Sequence, residues 1–268
     1  MIHSTHQGSG SPPFVFIHAF GCARSDWDKQ LQFFSNRHEL VAVDLGGHGT
    51  TPARVEHCQV ETHGADVAAL ITALNLAPAV IIGNSLGCRV ALEVAARVPA
   101  HTKALILVDG SRLGQVGDGP TTGHAILGNG VDANDYAEFV VGMFAKMFSP
   151  GCDPRTVVAM TERAQRIPAQ LAAALLADVG RHDAEKMDEL LASLTVPVHL
   201  IQSTMITADG ARVSLARGQT SPYLEMMKSK VAAVSIDIVE DSGHYPQIER
   251  AENTNAAINQ FVQRLSAI

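Results

Sequence analysis

The stretch "IIGNSLGCRVALEVAARVP", residues 81–99, decides the fold. A short apolar run ends at Gly83, one hydroxyl (Ser85) follows between Gly83 and Gly87, and a helical pattern continues to Pro99. A continuous apolar run of this length, followed at once by a helix, reads as a parallel strand buried on both faces. In the helical part Arg89, Glu93 and Arg97 recur at every fourth position with apolar residues between them. That spacing draws one charged line along the helix, expected to be the narrow exposed edge of an otherwise buried element. The turn between strand and helix is expected to be too tight for side chains at positions 83 and 87, and it holds Ser85 up at the bend.

Outward from this stretch the pattern is strand, helix, strand, helix. Short β-rich runs occur at residues 14–18, 39–44, 79–83, 104–109, 197–202 and 234–239, with a weaker edge strand at 2–6. Most are nearly continuous apolar runs, as buried parallel strands require, whereas 234–239 alternates through Ser235 and Asp237 and suits a position near an edge. Val67, Leu70, Ile71 and Leu74 form one apolar helical face, as do Ile258, Phe261, Val262 and Leu265. The expected fold class is α/β, a mostly parallel twisted sheet of about seven strands flanked by helices.

One interval breaks the rhythm. From "DGSRLGQVGDGPTTG" (109–123) to Pro197 there is no clear strand, and helical patterns run at 134–148, 154–166, 169–181 and 184–193. The domain division read from this is a core of residues 1–111 and 194–268, with residues 112–193 inserted as a helical cap. Ligands of open α/β sheets bind outside the carboxyl ends of the strands, where such a cap would shape a pocket.

Composition limits the alternatives. The chain has 268 residues, of which 46% are hydrophobic, enough for a sizeable core. A net charge of -7 without a Lys/Arg block argues against nucleic acid as a partner. Cys22, Cys58, Cys88 and Cys152 lack paired spacing, and the start lacks the order of a secretory signal, so a cytoplasmic protein with reduced thiols is expected. No apolar run is long enough to span a membrane. His3, His6 and His199 have no ligand partner at suitable spacing, so neither a metal nor a cofactor is expected.

A serine hydroxyl needs a base to take its proton. His244, on a loop after the last strand, is the candidate. The base in turn needs an acid to orient it. Asp109 sits directly at a strand end and is the better fixed, and Asp209, twelve residues past Pro197, is the alternative. The backbone N–H groups of Leu86 and Phe20 are the candidate donors to an oxyanion. Met143, Phe144, Met147 and Phe148 suit either an acyl pocket or the inserted segment's own core. Ala19 and Tyr245 complete the candidate pocket, and Arg112 is placed to meet a substrate carboxylate or an acid of its own chain.

Four segments together resemble the α/β-hydrolase fold superfamily over almost the whole chain. "FIHAFGCARSDW" (16–27) is similar to its oxyanion loop and "VAVDLGGHGTT" (41–51) to its D-x-x-G-x-G-x-S segment. "GNSLG" (83–87) matches its nucleophile elbow and "DSGHYPQIE" (241–249) its histidine loop. The resemblance implies an eight-stranded sheet, here without its first strand, and a cap between the sixth and seventh family strands. It implies Ser85 as nucleophile, His244 as base, Phe20 and Leu86 as oxyanion donors, and an acid after either the sixth or the seventh strand. Ala19 stands where the family usually has glycine. The activity implied is serine hydrolysis of a small-molecule ester, thioester, lactone or amide through an acyl-enzyme. C–C bond hydrolysis of a ring-cleavage diketone and cofactor-free oxygenation also occur on this fold. A ligand receptor that retains the triad with slow turnover is the reading of another class.

Overall fold

A computed structural model of the chain describes residues 2–113, 133–207 and 210–266. Seven strands form one sheet: β1 (His3–Gln7), β2 (Phe14–Ile17), β3 (Leu40–Asp44), β4 (Ala79–Asn84), β5 (Thr102–Val108), β6 (Val198–Gln202) and β9 (Val234–Ile238). Their order across the sheet is β1-β3-β2-β4-β5-β6-β9. Only β1 runs antiparallel, and it lies at an edge beside β3. The alternating strand expected near an edge, β9, occupies the other one.

The strands obey the period of two. Val15, Ile17, Val41, Val43, Ile81, Leu105 and Leu107 face a core shared with helices α2 (Val60–Ala73) and α3 (Leu86–Arg97). Their neighbours in sequence, Phe14, Phe16, Leu40, Ala42, Val80, Ile82 and Ile106, face the opposite core. That second core is closed by Leu31 and Phe34 of α1 (Asp28–Phe34) and by Ile258, Phe261 and Val262 of the C-terminal helix, Ala251–Ser266. Both faces are covered, which is why these strands read as unbroken apolar runs.

Register brings the carboxyl ends level. Ile17 pairs with Val43 and with Gly83, Asn84 with Val108, and Val108 with Ile201. The chain leaves β2 first toward β3 and then crosses to β4 on its other side. The ends of β2 and β4 therefore flank a switch point, where open α/β sheets hold their ligands.

Between β5 and β6 the described residues form α4 (Ala133–Phe144), α5 (Pro154–Gln165), α6 (Ala169–Glu185) and α7 (Met187–Ser193). The four helical patterns expected there correspond to these helices. A two-stranded hairpin, β7 (Thr204–Ile206) with β8 (Arg212–Ser214), follows β6 and was not expected. Its signal is present in the sequence: short β-prone runs on either side of a stretch that contains "DG", a turn dipeptide.

The charged line on α3 is a correction. Arg89 and Glu93 are 2% and 4% exposed, so they do not mark a solvent edge. Helix α6 lies over them. Arg89 donates two hydrogen bonds to Asp183, at 2.7 and 2.6 Å. Glu93 pairs with Arg97 and accepts from His182 at 2.8 Å. Four-residue spacing of charges looks the same whether the line meets water or a partner's countercharges. Only the partner α6, nearly a hundred residues away in sequence, decides which. All four cysteines are free, and no helix among the described residues is long and apolar enough to cross a membrane.

Candidate active site

From Ala79 to Ala95 every residue is buried except Ser85. Ser85 has φ +55° and ψ -108°, a conformation that non-glycine residues seldom adopt. The glycines around it make the bend possible through close approach. A Cβ at Gly83 would overlap the carbonyl of Gly87, and one at Gly87 would overlap the carbonyl of Ile17. The elbow is pinned by backbone: Ser85 N–H donates to Val108 at 3.1 Å, and Ser85 O accepts from Cys88 N–H at 3.0 Å. Arg89 Nη1 also donates to Ser85 O, at 3.2 Å, and Arg89 Nη2 to Ser111 O at 2.8 Å.

Leu86 opens α3, so its N–H has no earlier turn to bond. The facing loop after β2 is shaped by His18. Its Nδ1 donates to Ala19 O at 2.7 Å, and its Nε2 accepts from Leu45 N–H at 3.0 Å. Both ring nitrogens are thus used, which fixes the neutral tautomer and the path toward Phe20. Beyond Phe20, a Cβ on Gly21 would meet Phe144 and Ala164. Arg163 of α5 bonds Asp26 at 2.7 and 2.5 Å, so α4 and α5 fix this loop from above.

Asp109 follows β5 with φ +43° and is fully buried. Its Oδ2 accepts from His244 Nδ1 at 2.6 Å. An ionised carboxylate only accepts, so the imidazole proton sits on Nδ1 and Nε2 keeps its lone pair. Oδ1 accepts from the N–H groups of Ser203 and Thr204 at 2.9 and 2.7 Å, and Oδ2 also from Thr204 Oγ1 at 2.6 Å. Arg212 of β8 reaches the same Oδ2 at 3.2 Å. Asp209 lies outside the described residues.

Three polar groups at the site were not singled out by the sequence. Asn84 Nδ2 donates to His244 O at 3.2 Å and its Oδ1 accepts from Gln247 at 3.1 Å, so the residue before Ser85 holds the histidine loop. Glu249 accepts from Gly243 N–H at 3.1 Å and from Ser149 N–H at 2.9 Å. Arg212 is the third. Asn84 ends a strand, where polar residues are common turn formers, and Glu249 ends the short helix Pro246–Glu249, so nothing local singles out either.

Of the expected pocket residues, Phe144 and Tyr245 are buried and stack at 6.2 Å, and Tyr245 Oη donates to Met147 Sδ at 3.2 Å. His244 N–H donates to Met147 O at 2.6 Å, and Met143 packs against the same core. Ala19 is buried beside Phe20. Arg112 donates to Asp188 at 2.7 Å, so it meets an acid of its own chain. Among the described residues no cluster of His, Cys, Asp or Glu is arranged to hold a metal.

Burial raises Asp109, but the hydrogen bond from His244, the Arg212 guanidinium and the Thr204 hydroxyl outweigh it and hold Asp109 below the ordinary carboxylate range. Burial, then the Arg212 guanidinium, lowers His244 to about 4 despite the pull of Asp109. Burial also lowers His48 and His182 to about 4, His63 to about 3, and His18 well below its ordinary value. These five histidines are neutral in the fold but accept protons in the unfolded chain near pH 6.5. Their contribution is complete above that value and is lost as pH falls toward 4. Each costs about 1.4 kcal/mol per pH unit in that window, and together they remove on the order of 5–10 kcal/mol between pH 7 and pH 5. That is comparable to the whole stability of a typical domain. The urea midpoint is expected to collapse across this interval, and an unchanged midpoint at pH 5 would disprove the account.

The model of the alpha/beta hydrolase family matches residues 14–257. This chain belongs to that family. As a family member it is similar to the dihydrolipoyllysine-residue acetyltransferase component of the acetoin cleaving system of Pseudomonas putida. The identity is 23%, covering 96% of this chain and 65% of that protein. It is 40% identical to a non-heme chloroperoxidase of Streptomyces lividans over 36% of each chain. The hydrolase-family chain thus spans less than two thirds of either relative. It matches Lipase 1 of Psychrobacter immobilis at 21% identity over 100% of this chain and 82% of the lipase. Among solved structures it superposes on an esterase from Exiguobacterium antarcticum with a TM-score of 0.80, at 18% identity over 98% of this chain and 95% of that one. The enol-lactonase from Burkholderia xenovorans gives 0.79, at 19% identity over 98% and 96%.

Proposed function

We propose that this protein is a serine hydrolase that cleaves a small carboxylic ester or lactone through an acyl-enzyme. The observation that carries the reading is Ser85, the single accessible residue between Ala79 and Ala95, at the same carboxyl end of the sheet as an imidazole oriented by Asp109. Ser85 Oγ attacks the carbonyl while His244 Nε2 takes its proton. The developing oxyanion rests on the N–H groups of Leu86 and Phe20. The protonated His244, stabilised by Asp109, then gives its proton to the leaving alkoxide. Water activated by the same nitrogen releases the acid and frees Ser85.

Membership of the alpha/beta hydrolase family supports hydrolysis, and the lipase, esterase and lactonase among the similar proteins point to an ester or lactone carbonyl. Helices α4–α7 act as the cap in this reading, and Phe144, Met147 and Tyr245 contribute to the wall above the oxyanion loop.

A fluorophosphonate probe tests the assignment without knowledge of the substrate. Peptide mapping by mass spectrometry is expected to find one phosphonylated residue, Ser85. Turnover of short p-nitrophenyl esters, or opening of simple lactones, is expected to stop in step with labelling. An unlabelled protein, or an adduct elsewhere with Ser85 free, overturns the proposal.

A further inference from the structure

We propose that Arg212 is a positioning residue of this triad, sharing Asp109 Oδ2 with His244 and so keeping the imidazole a free base into acidic solution. The inference rests on the hydrolase reading for its chemistry, but its geometry stands separately. Oδ2 accepts from His244 Nδ1 at 2.6 Å, Thr204 Oγ1 at 2.6 Å and Arg212 Nη1 at 3.2 Å. Oδ1 accepts from two backbone N–H groups. A carboxylate offers about four lone-pair sites, so five donors saturate it. His244 therefore competes for the charge that would stabilise its protonated form.

Arg212 is itself held. Its Nη1 donates to Thr204 Oγ1 at 2.6 Å, and the side chain is 13% exposed. The hairpin β7–β8 supplies both Thr204 and Arg212, so this unexpected element forms the far wall of the acid's site. Guanidinium stays charged throughout the accessible pH range, so it cannot adapt when His244 gains a proton.

The charged and titratable groups around His244 come from several elements. Asp109 approaches from the end of β5, Arg212 from β8 and Arg89 from α3. Tyr245 lies beside it on its own loop, ring to ring at 5.1 Å, and burial keeps that phenol neutral. The segment before α5 presents the carbonyl of Met147. Arg212 shares the one carboxylate that faces the ring, and Arg89, itself paired with Asp183, adds a further positive charge, so the imidazolium formed in the reaction surrenders its proton readily. The balance agrees with the downward displacement of His244 by burial and then by Arg212.

The test follows the ring itself. Protein labelled with 13C-histidine is titrated by NMR from pH 8 down to its acid unfolding limit, beside the pH profile of kcat/KM. Wild-type His244 is expected to stay neutral through pH 6, with no acidic limb above that point. In Arg212→Met the ring midpoint and the acidic limb are expected to rise together by about one to two pH units. Arg212→Lys, which keeps the cation, is expected to remain within about half a unit of wild type. Arg212→Gln serves if the methionine variant fails to fold. A wild-type ring titrating near 6.5, or neutral variants that move neither readout, overturns the proposal. Ring shifts without any ester turnover count against the hydrolase reading alone, and turnover without shifts counts against Arg212 alone.

Discussion

Ser85→Ala is expected to lower kcat for any cleaved ester by about 10⁴- to 10⁶-fold. The change removes one oxygen and leaves the elbow standing. The bonds that hold the bend are backbone ones, from Ser85 N–H to Val108 and from Cys88 N–H and Arg89 to Ser85 O. Alanine tolerates the φ of +55° about as well as serine does, so the melting temperature should stay within a few degrees. Residual activity will reflect the oxyanion donors and binding alone. Steady-state kinetics with a circular dichroism melt separates the two effects. A variant retaining more than about one hundredth of the wild-type rate would remove Ser85 from the mechanism.

The second large effect concerns the acid. Asp109→Asn should reduce kcat about 10⁴-fold. The reason is a count of donors. Both carboxylate oxygens now accept, two bonds on Oδ1 and three on Oδ2. An amide must place its NH₂ group on one side. Facing His244, it favours the tautomer with the proton on Nε2, which cannot take a proton from Ser85. Facing Ser203 and Thr204, it opposes two backbone N–H groups. Either orientation also deprives Arg212 of its countercharge, so a stability loss of about 1–3 kcal/mol should accompany the loss of rate. Asp209→Asn is the companion measurement, expected to leave the rate within a few-fold. Inactivity of that variant with an active Asp109→Asn would reverse the assignment of the acid.

The sheet was legible in the sequence because its inner strands are buried on both faces and therefore read as unbroken apolar runs. The bend at Ser85 was legible because glycine spacing reflects steric overlap, which the carbonyls of Gly87 and Ile17 bear out. What stayed hidden depends on partners remote in sequence. Arg89 looks like a surface residue until Asp183 is placed on it. Arg212 lies in a short hairpin whose turn signal was readable, yet its reach to Asp109 spans 103 residues of chain. The choice between Asp109 and Asp209 was likewise open. Position after a strand is a local property, while contact with His244 is a tertiary one.

The edge strand β9 bears on how such a chain comes to maturity. It pairs only with β6, and His244 follows directly behind it, 135 residues beyond Asp109. A nascent chain emerges from its N-terminus, so the elbow and the acid can form their part of the sheet while the base is still being synthesised. Contacts of such long range form late because loop closure opposes them. In the proposed mechanism Ser85 lacks its base until that strand docks, so the onset of ester turnover during refolding is expected to follow the pairing of β9 with β6.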